Sequence, residues 1–226
     1  MHSRIFAAAL AAAFLFFSAG AHPEDEGEAP EIRYEWKINE SQVTFGTTQK
    51  QREGSLAAAI QQCDDEIAVM CAAAGTYFDD DNKDGGEKNY YKAEEFYQRS
   101  CHLDNSTCFY LGRLYRYGRG VRQDFSRAME LFGKSCEAGA PLGCFYLSDM
   151  YLQGRGVGTD LTKAYQLSIK ACDSFKGNKT ACYNLGVFHD RGVGGVRQDR
   201  EMARDYYEKT CAMGHKISCD MAGKFK

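Results

Sequence analysis

Small and apolar residues recur along this chain at a fixed long period. Aligned on Cys71, Cys108, Cys144, Cys182 and Cys219, successive copies are 37, 36, 38 and 37 residues apart. Three residues after each cysteine stand Ala74, Leu111, Leu147, Leu185 and Ala222. Four after stand Gly75, Gly112, Ser148, Gly186 and Gly223, and seven after stand Phe78, Tyr115, Tyr151 and His189. Offsets of zero, three, four and seven fall on one face of a helix. The small residue at offset four predicts close approach of a neighbouring helix.

A second helix in each copy ends at the other five cysteines, Cys63, Cys101, Cys136, Cys172 and Cys211. Eight residues before the last four stand Ala93, Ala128, Ala164 and Ala203, and five before stand Phe96, Leu131, Leu167 and Tyr206. Four residues ahead of each alanine comes Asn89, Asp124, Asp160 or Asp199. Those side chains accept from free N–H groups at a helix start, so they are predicted N-caps. Between the two helices lie Gly118-Arg119-Gly120-Val121, Gly154-Arg155-Gly156-Val157 and the longer Gly192-Val193-Gly194-Gly195-Val196. Glycine supplies the positive φ that ends a helix and turns the chain.

Each copy is therefore a helix–turn–helix pair of about 37 residues. One pair cannot bury both its faces, whereas stacked pairs can. The predicted fold is all-α: a right-handed α-solenoid of about four pairs over residues 49–226. A lone helix precedes Cys63, and a short capping helix follows His215.

The N-terminal residues break this pattern. Met1–Ala21 reads as a secretory signal peptide, with Arg4, an apolar run over Ile5–Phe17, and the small-residue site Ala19-Gly20-Ala21. The apolar run has thirteen residues, and a membrane-spanning helix needs about 17–25. The mature chain is expected to begin near His22, secreted or periplasmic, with no membrane span. No lipobox cysteine follows the run. Residues 22–48 read as an acidic linker, with Glu24, Asp25, Glu26 and Glu28, and then an extended arm. In the arm, Ile32, Tyr34, Trp36 and Ile38 alternate with Arg33, Glu35 and Lys37. Trp36 is expected to dock the arm, with partner binding as the alternative.

Composition narrows the function. Hydrophobic residues make up 44% and charged residues 26% of the chain, which suits a globular protein. A net charge of −3 gives no basic field for nucleic acid. In an oxidising compartment, ten cysteines read as a disulfide framework. They fall into close pairs: Cys63/Cys71, Cys101/Cys108, Cys136/Cys144, Cys172/Cys182 and Cys211/Cys219. Bridging within a hairpin, as in Cys71 to Cys101, is the alternative, but it leaves Cys63 and Cys219 alone. Local loops of this size would each contribute roughly 2–3 kcal/mol in the chain-entropy account. No C-x-x-C favours a redox or zinc centre.

The segment Cys108–Cys136 and its copies at 144–172 and 182–211 resemble the Sel-one-like repeat family, relatives of the tetratricopeptide repeats. The paired cysteines resemble those of the Helicobacter cysteine-rich proteins. The resemblance implies the local disulfide pairing. Two features depart from the pattern: "DDDNKDGGEKN" replaces the first Gly-rich turn, and Ser148 stands where glycine is usual.

No G-x-S-x-G, H-E-x-x-H or Walker loop occurs, and the histidines at 2, 22, 102, 189 and 215 do not cluster. His189 reads as a packed core histidine. Some cysteine-rich relatives are associated with penicillin binding or weak β-lactam hydrolysis. This chain has no S-x-x-K, so a β-lactam or peptidoglycan-fragment ligand would need an unfamiliar site. A mitochondrial intermembrane-space assembly factor is a further alternative that the resemblance brings. Asp80, Asn82 and Asp84 match the start of a calcium loop, but Tyr91 stands where its last glutamate belongs. A solvated acidic insertion is the expected reading there, and no cofactor is expected. Three N-x-S/T sequons occur, at Asn39, Asn105 and Asn178. Asn105 and Asn178 fall in loops between copies, where glycans are expected to fit.

By analogy with tetratricopeptide repeats, the first helix of each pair lines a concave groove. Its expected lining is Phe109, Phe145 and Tyr183, then Arg113 and Asp149, then Arg116, and then Tyr117, Gln153 and Arg191. Aromatic and arginine residues together typify protein-binding hot spots, and arginine also grips carboxylates. The expectation is a monomeric, exported module that binds a protein or peptide partner.

Overall fold

Ten helices follow one another in the computed structural model, which describes residues 49–79, 89–174 and 177–225. They are α1 Gln49–Asp64, α2 Ala68–Asp79, α3 Tyr90–Leu103, α4 Cys108–Tyr117, α5 Phe125–Glu137 and α6 Pro141–Gln153. Then come α7 Leu161–Cys172, α8 Lys179–Arg191, α9 Arg200–Ala212 and α10 Lys216–Gly223. A single 3₁₀ turn, Asn105–Thr107, precedes α4. The described residues contain no strand. Each helix packs mainly on its neighbours in sequence, as in a solenoid. The signal segment, the arm with Trp36, and Asp80, Asn82 and Asp84 lie outside the described residues.

The helix starts follow from the predicted caps. Asn89, Asp124, Asp160 and Asp199 each accept a hydrogen bond from the backbone N–H three residues on. The even-numbered helices α4, α6 and α8 end at Gly118, Gly154 and Gly192, which are left-handed with φ of 66°, 64° and 64°. A residue with a Cβ would be strained there. The second glycine of each turn has a different task. A Cβ on Gly120 would lie 2.4 Å from Tyr90, and one on Gly156 would lie 2.5 Å from Phe125. Those residues start the second helix of the preceding pair. The turn glycine thus lets successive pairs touch.

Inside each pair, the alanine column is fully buried: Ala93, Ala128, Ala164 and Ala203. The glycine column faces an aromatic ring. A Cβ on Gly75 would meet Tyr97 at 2.5 Å, one on Gly112 would meet Phe132 at 2.6 Å, and one on Gly186 would meet Tyr207 at 2.6 Å. The third pair explains its own departure. Ser148 faces Ser168, which stands where the other pairs have the ring, and the two hydroxyls are 2.9 Å apart. Both side chains are buried, and Ser148 also donates to the Ala164 carbonyl at 2.8 Å. A small pair with a shared hydrogen bond replaces a gap filled by a ring.

Five disulfides join Cys63–Cys71, Cys101–Cys108, Cys136–Cys144, Cys172–Cys182 and Cys211–Cys219. Each bridges the end of one helix to the start of the next, across the loop between pairs. The hairpin alternative does not occur. One loop expectation needs correction. Asn178 is only 6% exposed, and its side-chain oxygen caps α8 by accepting from Ala181 N–H at 2.9 Å. A glycan on that nitrogen would uncap the helix and enter the core. Asn105 remains exposed.

Candidate binding face

The first helices of successive pairs, α2, α4, α6 and α8, carry the residues predicted to line a groove. Their helical register decides which of those residues reach solvent. One position after the cysteine, the side chain turns toward the neighbouring pair. Phe109 is 8% exposed and packs with Ala128, Phe132 and Met150. Phe145 and Tyr183 are half-buried, the first against the core around Leu185 and the second against Tyr207. Tyr183 also lies 4.9 Å from the His215 ring, centroid to centroid. These aromatics fill the space between pairs. Phe109 as a groove residue is therefore corrected: adjacent helices lie too close to leave its ring outside.

The charged positions form a paired ladder. Asp79 is buried at the end of α2 and accepts from the Tyr97 hydroxyl at 3.4 Å and from Arg119 Nη1 at 3.3 Å. Arg113 Nη2 stands 3.8 Å from the same carboxylate. On the next step, Arg116 of α4 pairs with Asp149 of α6. Gln153 Nε2 donates to the other oxygen of Asp149 at 2.5 Å. Arg116 is only 5% exposed, so it too is a correction: it is a buried strut between helices, not a free groove residue. Its Nε has no hydrogen-bond partner among the described residues. Rings share its charge instead, with the guanidinium 5.1 Å from the Tyr117 centroid and 5.7 Å from that of Tyr146.

Burial shapes the titration of this face. Burial first, and then Asp79, push the Tyr97 hydroxyl far above the ordinary tyrosine range. Tyr97 therefore stays a neutral donor to Asp79 at any physiological pH. For Arg113, burial opposes its charge, yet nearby tyrosines and Asp79 outweigh it and raise its pKa. Arg113 thus remains a cation.

Nine positions after the cysteine, the side chains do reach solvent. Tyr117 is 45% exposed, and Gln153 and Arg191 are also exposed. They occupy the same register on α4, α6 and α8, one step apart along the stack. Sequence reasoning missed three members of this face. Asp79 sits eight residues after Cys71, the register that Arg116 holds in the next copy, and that swap of sign was readable. Arg119 was read only as part of a turn. Tyr146 was not singled out.

Comparison with known proteins fits this architecture. The Sel1 repeat family matches residues 68–105, 106–139, 141–174 and 179–215, one match for each helix pair. The chain belongs to the Sel1 repeat family. A curated relative, the cytochrome c oxidase assembly factor 7 of Xenopus tropicalis, is 31% identical over 144 residues. That match covers 61% of this chain and 62% of the relative, so less than two thirds of the relative's length is spanned. Among solved structures, c5321, a protective antigen of uropathogenic Escherichia coli with the same kind of fold, aligns with a TM-score of 0.66 at 25% identity. It covers 75% of this chain and 35% of the antigen. A Sel1 repeat protein of Oxalobacter formigenes aligns at 0.65 and 20% identity, over 74% of this chain and 68% of that one, and supports the fold. Among the described residues, no helix of this Sel1 repeat chain is long and apolar enough to cross a membrane.

Proposed function

We propose that this chain is an exported, disulfide-stapled scaffold that binds a protein or peptide partner along its α2–α4–α6–α8 face. The observation that carries the reading is the row Tyr117, Gln153 and Arg191, exposed in one register on the first helices of three successive pairs. Behind it, the ladder of Asp79, Arg113, Arg116, Arg119 and Asp149 ties α2, α4 and α6 to one another. A rigid repeat surface with exposed tyrosine and arginine suits partner recognition, because little conformational entropy is lost on binding. Five disulfides support an oxidising destination.

Comparative affinity capture tests this. One bait is the intact oxidised protein, and the other carries Tyr117→Ala, Gln153→Ala and Arg191→Glu together. Tyr117 flanks the Arg116 guanidinium and Gln153 donates to Asp149, so the melting curve of the second bait is compared with that of the first before capture. A partner held by the first bait and lost by the second supports the face. Equal capture by both moves the site elsewhere. A second reading follows from the match to a cytochrome c oxidase assembly factor: the chain would act as an assembly factor in mitochondria. Localisation of a tagged full-length chain separates the two, since export and mitochondrial import exclude each other.

A further inference from the structure

The Asp79 corner carries more donors than its acceptors can use. Asp79 lends one oxygen to Arg119 at 3.3 Å and the other to the Tyr97 hydroxyl at 3.4 Å. Arg113 stands 3.8 Å away, past hydrogen-bond reach of that second oxygen. Among the described residues, two guanidiniums therefore share one carboxylate. Each guanidinium presents five N–H donors in a fixed fork. Among the described residues, no other acceptor lies within hydrogen-bond distance of Arg113 or Arg119. Both remain reachable, with side-chain exposures of 26% and 40%. Beside them stands the exposed Tyr117 ring, 5.3 Å from the Arg119 guanidinium. The contrast is one step along the stack. There, Arg116 is buried and has Asp149 as its own carboxylate.

We infer that Arg113 and Arg119 form a carboxylate-docking site for an acidic side chain of a partner peptide, with Tyr117 as the stacking wall. This rests on the proposed binding face and names its partner chemistry. The incoming carboxylate takes the donors that Asp79 leaves over. Buried Asp79 holds the two guanidiniums in place, so little ordering is left for binding to supply. The partner segment is acidic and presents its carboxylate next to a flat or apolar group that lies against Tyr117.

The probe is a fluorescein-labelled peptide of alternating Glu and Ser, blocked at both ends, titrated against the full oxidised chain by anisotropy. Binding is expected, and it weakens as salt rises. Arg119→Gln weakens it by about tenfold or more, because a charged partner in a close pair is lost. Arg119 sits on a turn, and an unchanged melting curve confirms the fold of the variant. A Gln/Ser peptide read on the unaltered protein gives an arm that needs no variant, and it is expected not to bind. Equal binding of the two peptides overturns the inference. So does binding of a Gln/Ser peptide with a free C-terminus as tightly as the Glu peptide, since the site would then read a terminal carboxylate. Binding that appears only after Asp80, Asp81 and Asp84 are changed to Asn also overturns it, because the chain's own acidic residues would be the occupant. If the capture baits differ but Arg119→Gln retains the partner, the face stands and its acidic preference falls. If the baits do not differ while the peptide binds through Arg119, the wider face falls and the docking site stands alone.

Discussion

At Gly112 an added methyl group would lie 2.6 Å from Phe132, and at Gly186 it would lie 2.6 Å from Tyr207. Both rings are fully buried, so neither can swing away. Gly112→Ala and Gly186→Ala should each destabilise by about 1–3 kcal/mol, as overpacked cores do. The same contact predicts a coupled pair in the third copy. Ser168→Phe alone drives a ring into Ser148 and destabilises. Adding Ser148→Gly restores the combination found in the other copies and recovers much of the loss. A urea-denaturation double-mutant cycle reads this as a favourable interaction energy. His189 gives a second residue-scale prediction. It is buried, its Nε2 lies 3.3 Å from the Tyr165 hydroxyl, and its Nδ1 has no hydrogen-bond partner among the described residues. Burial holds its pKa below the ordinary histidine value, against a smaller opposing pull from Asp199. The unfolded chain therefore takes up the proton first as pH falls. The contribution of neutral His189 is complete above about pH 6.5 and is lost below it, levelling off under the folded pKa. His189→Phe should flatten the fall in the urea midpoint between neutral and mildly acidic pH.

Helix ends and turns set the elements. Asp124 and Asp160 each hold one N–H at the start of a second helix, at 2.9 Å. Asp124→Ala and Asp160→Ala should each cost about 1 kcal/mol, whereas Asn at either site should be nearly neutral. Gly156→Ala should cost more than a cap. It combines a φ of 74° with a Cβ 2.5 Å from Phe125 of the preceding pair. Thermal melts of the three variants would show whether that order holds. The caps were legible in the sequence because an Asp or Asn before a periodic apolar stripe has a local cause. The second task of the turn glycine was not. It depends on a residue some thirty positions earlier that only stacking brings near.

For the whole molecule, the disulfides lie one per loop between helix pairs. They differ in access. Cys219 is exposed and Cys211 is half-buried, whereas Cys63–Cys71, Cys136–Cys144 and Cys172–Cys182 are buried at both sulfur-bearing residues. Thiol–disulfide exchange needs the attacking thiolate to reach a sulfur. Under mild reduction, Cys211–Cys219 should therefore open before those three. Alkylation followed by peptide mass mapping would report the order. A buried bridge opening first would mean that the stack loosens from within. The solenoid also explains which groove expectations failed. A face built from stacked helices exposes most fully the register that points away from both neighbours. Tyr117, Gln153 and Arg191 hold that register, and Phe109 and Arg116 do not.

The period, the caps, the turn glycines and the cysteine spacing by themselves determined the helix pairs, their stacking and the loops that carry the bridges. All of these follow from local backbone chemistry and from the need of each pair to bury its apolar stripe. Only the tertiary structure decided which side chains of the binding helices face water. It turned Phe109 into packing and Arg116 into a strut, and it buried Asn178 as a cap. It also brought Asp79 of one pair beneath Arg113 and Arg119 of the next. Those outcomes depend on how far apart neighbouring helices sit, a distance set by glycine against ring and serine against serine across the stack.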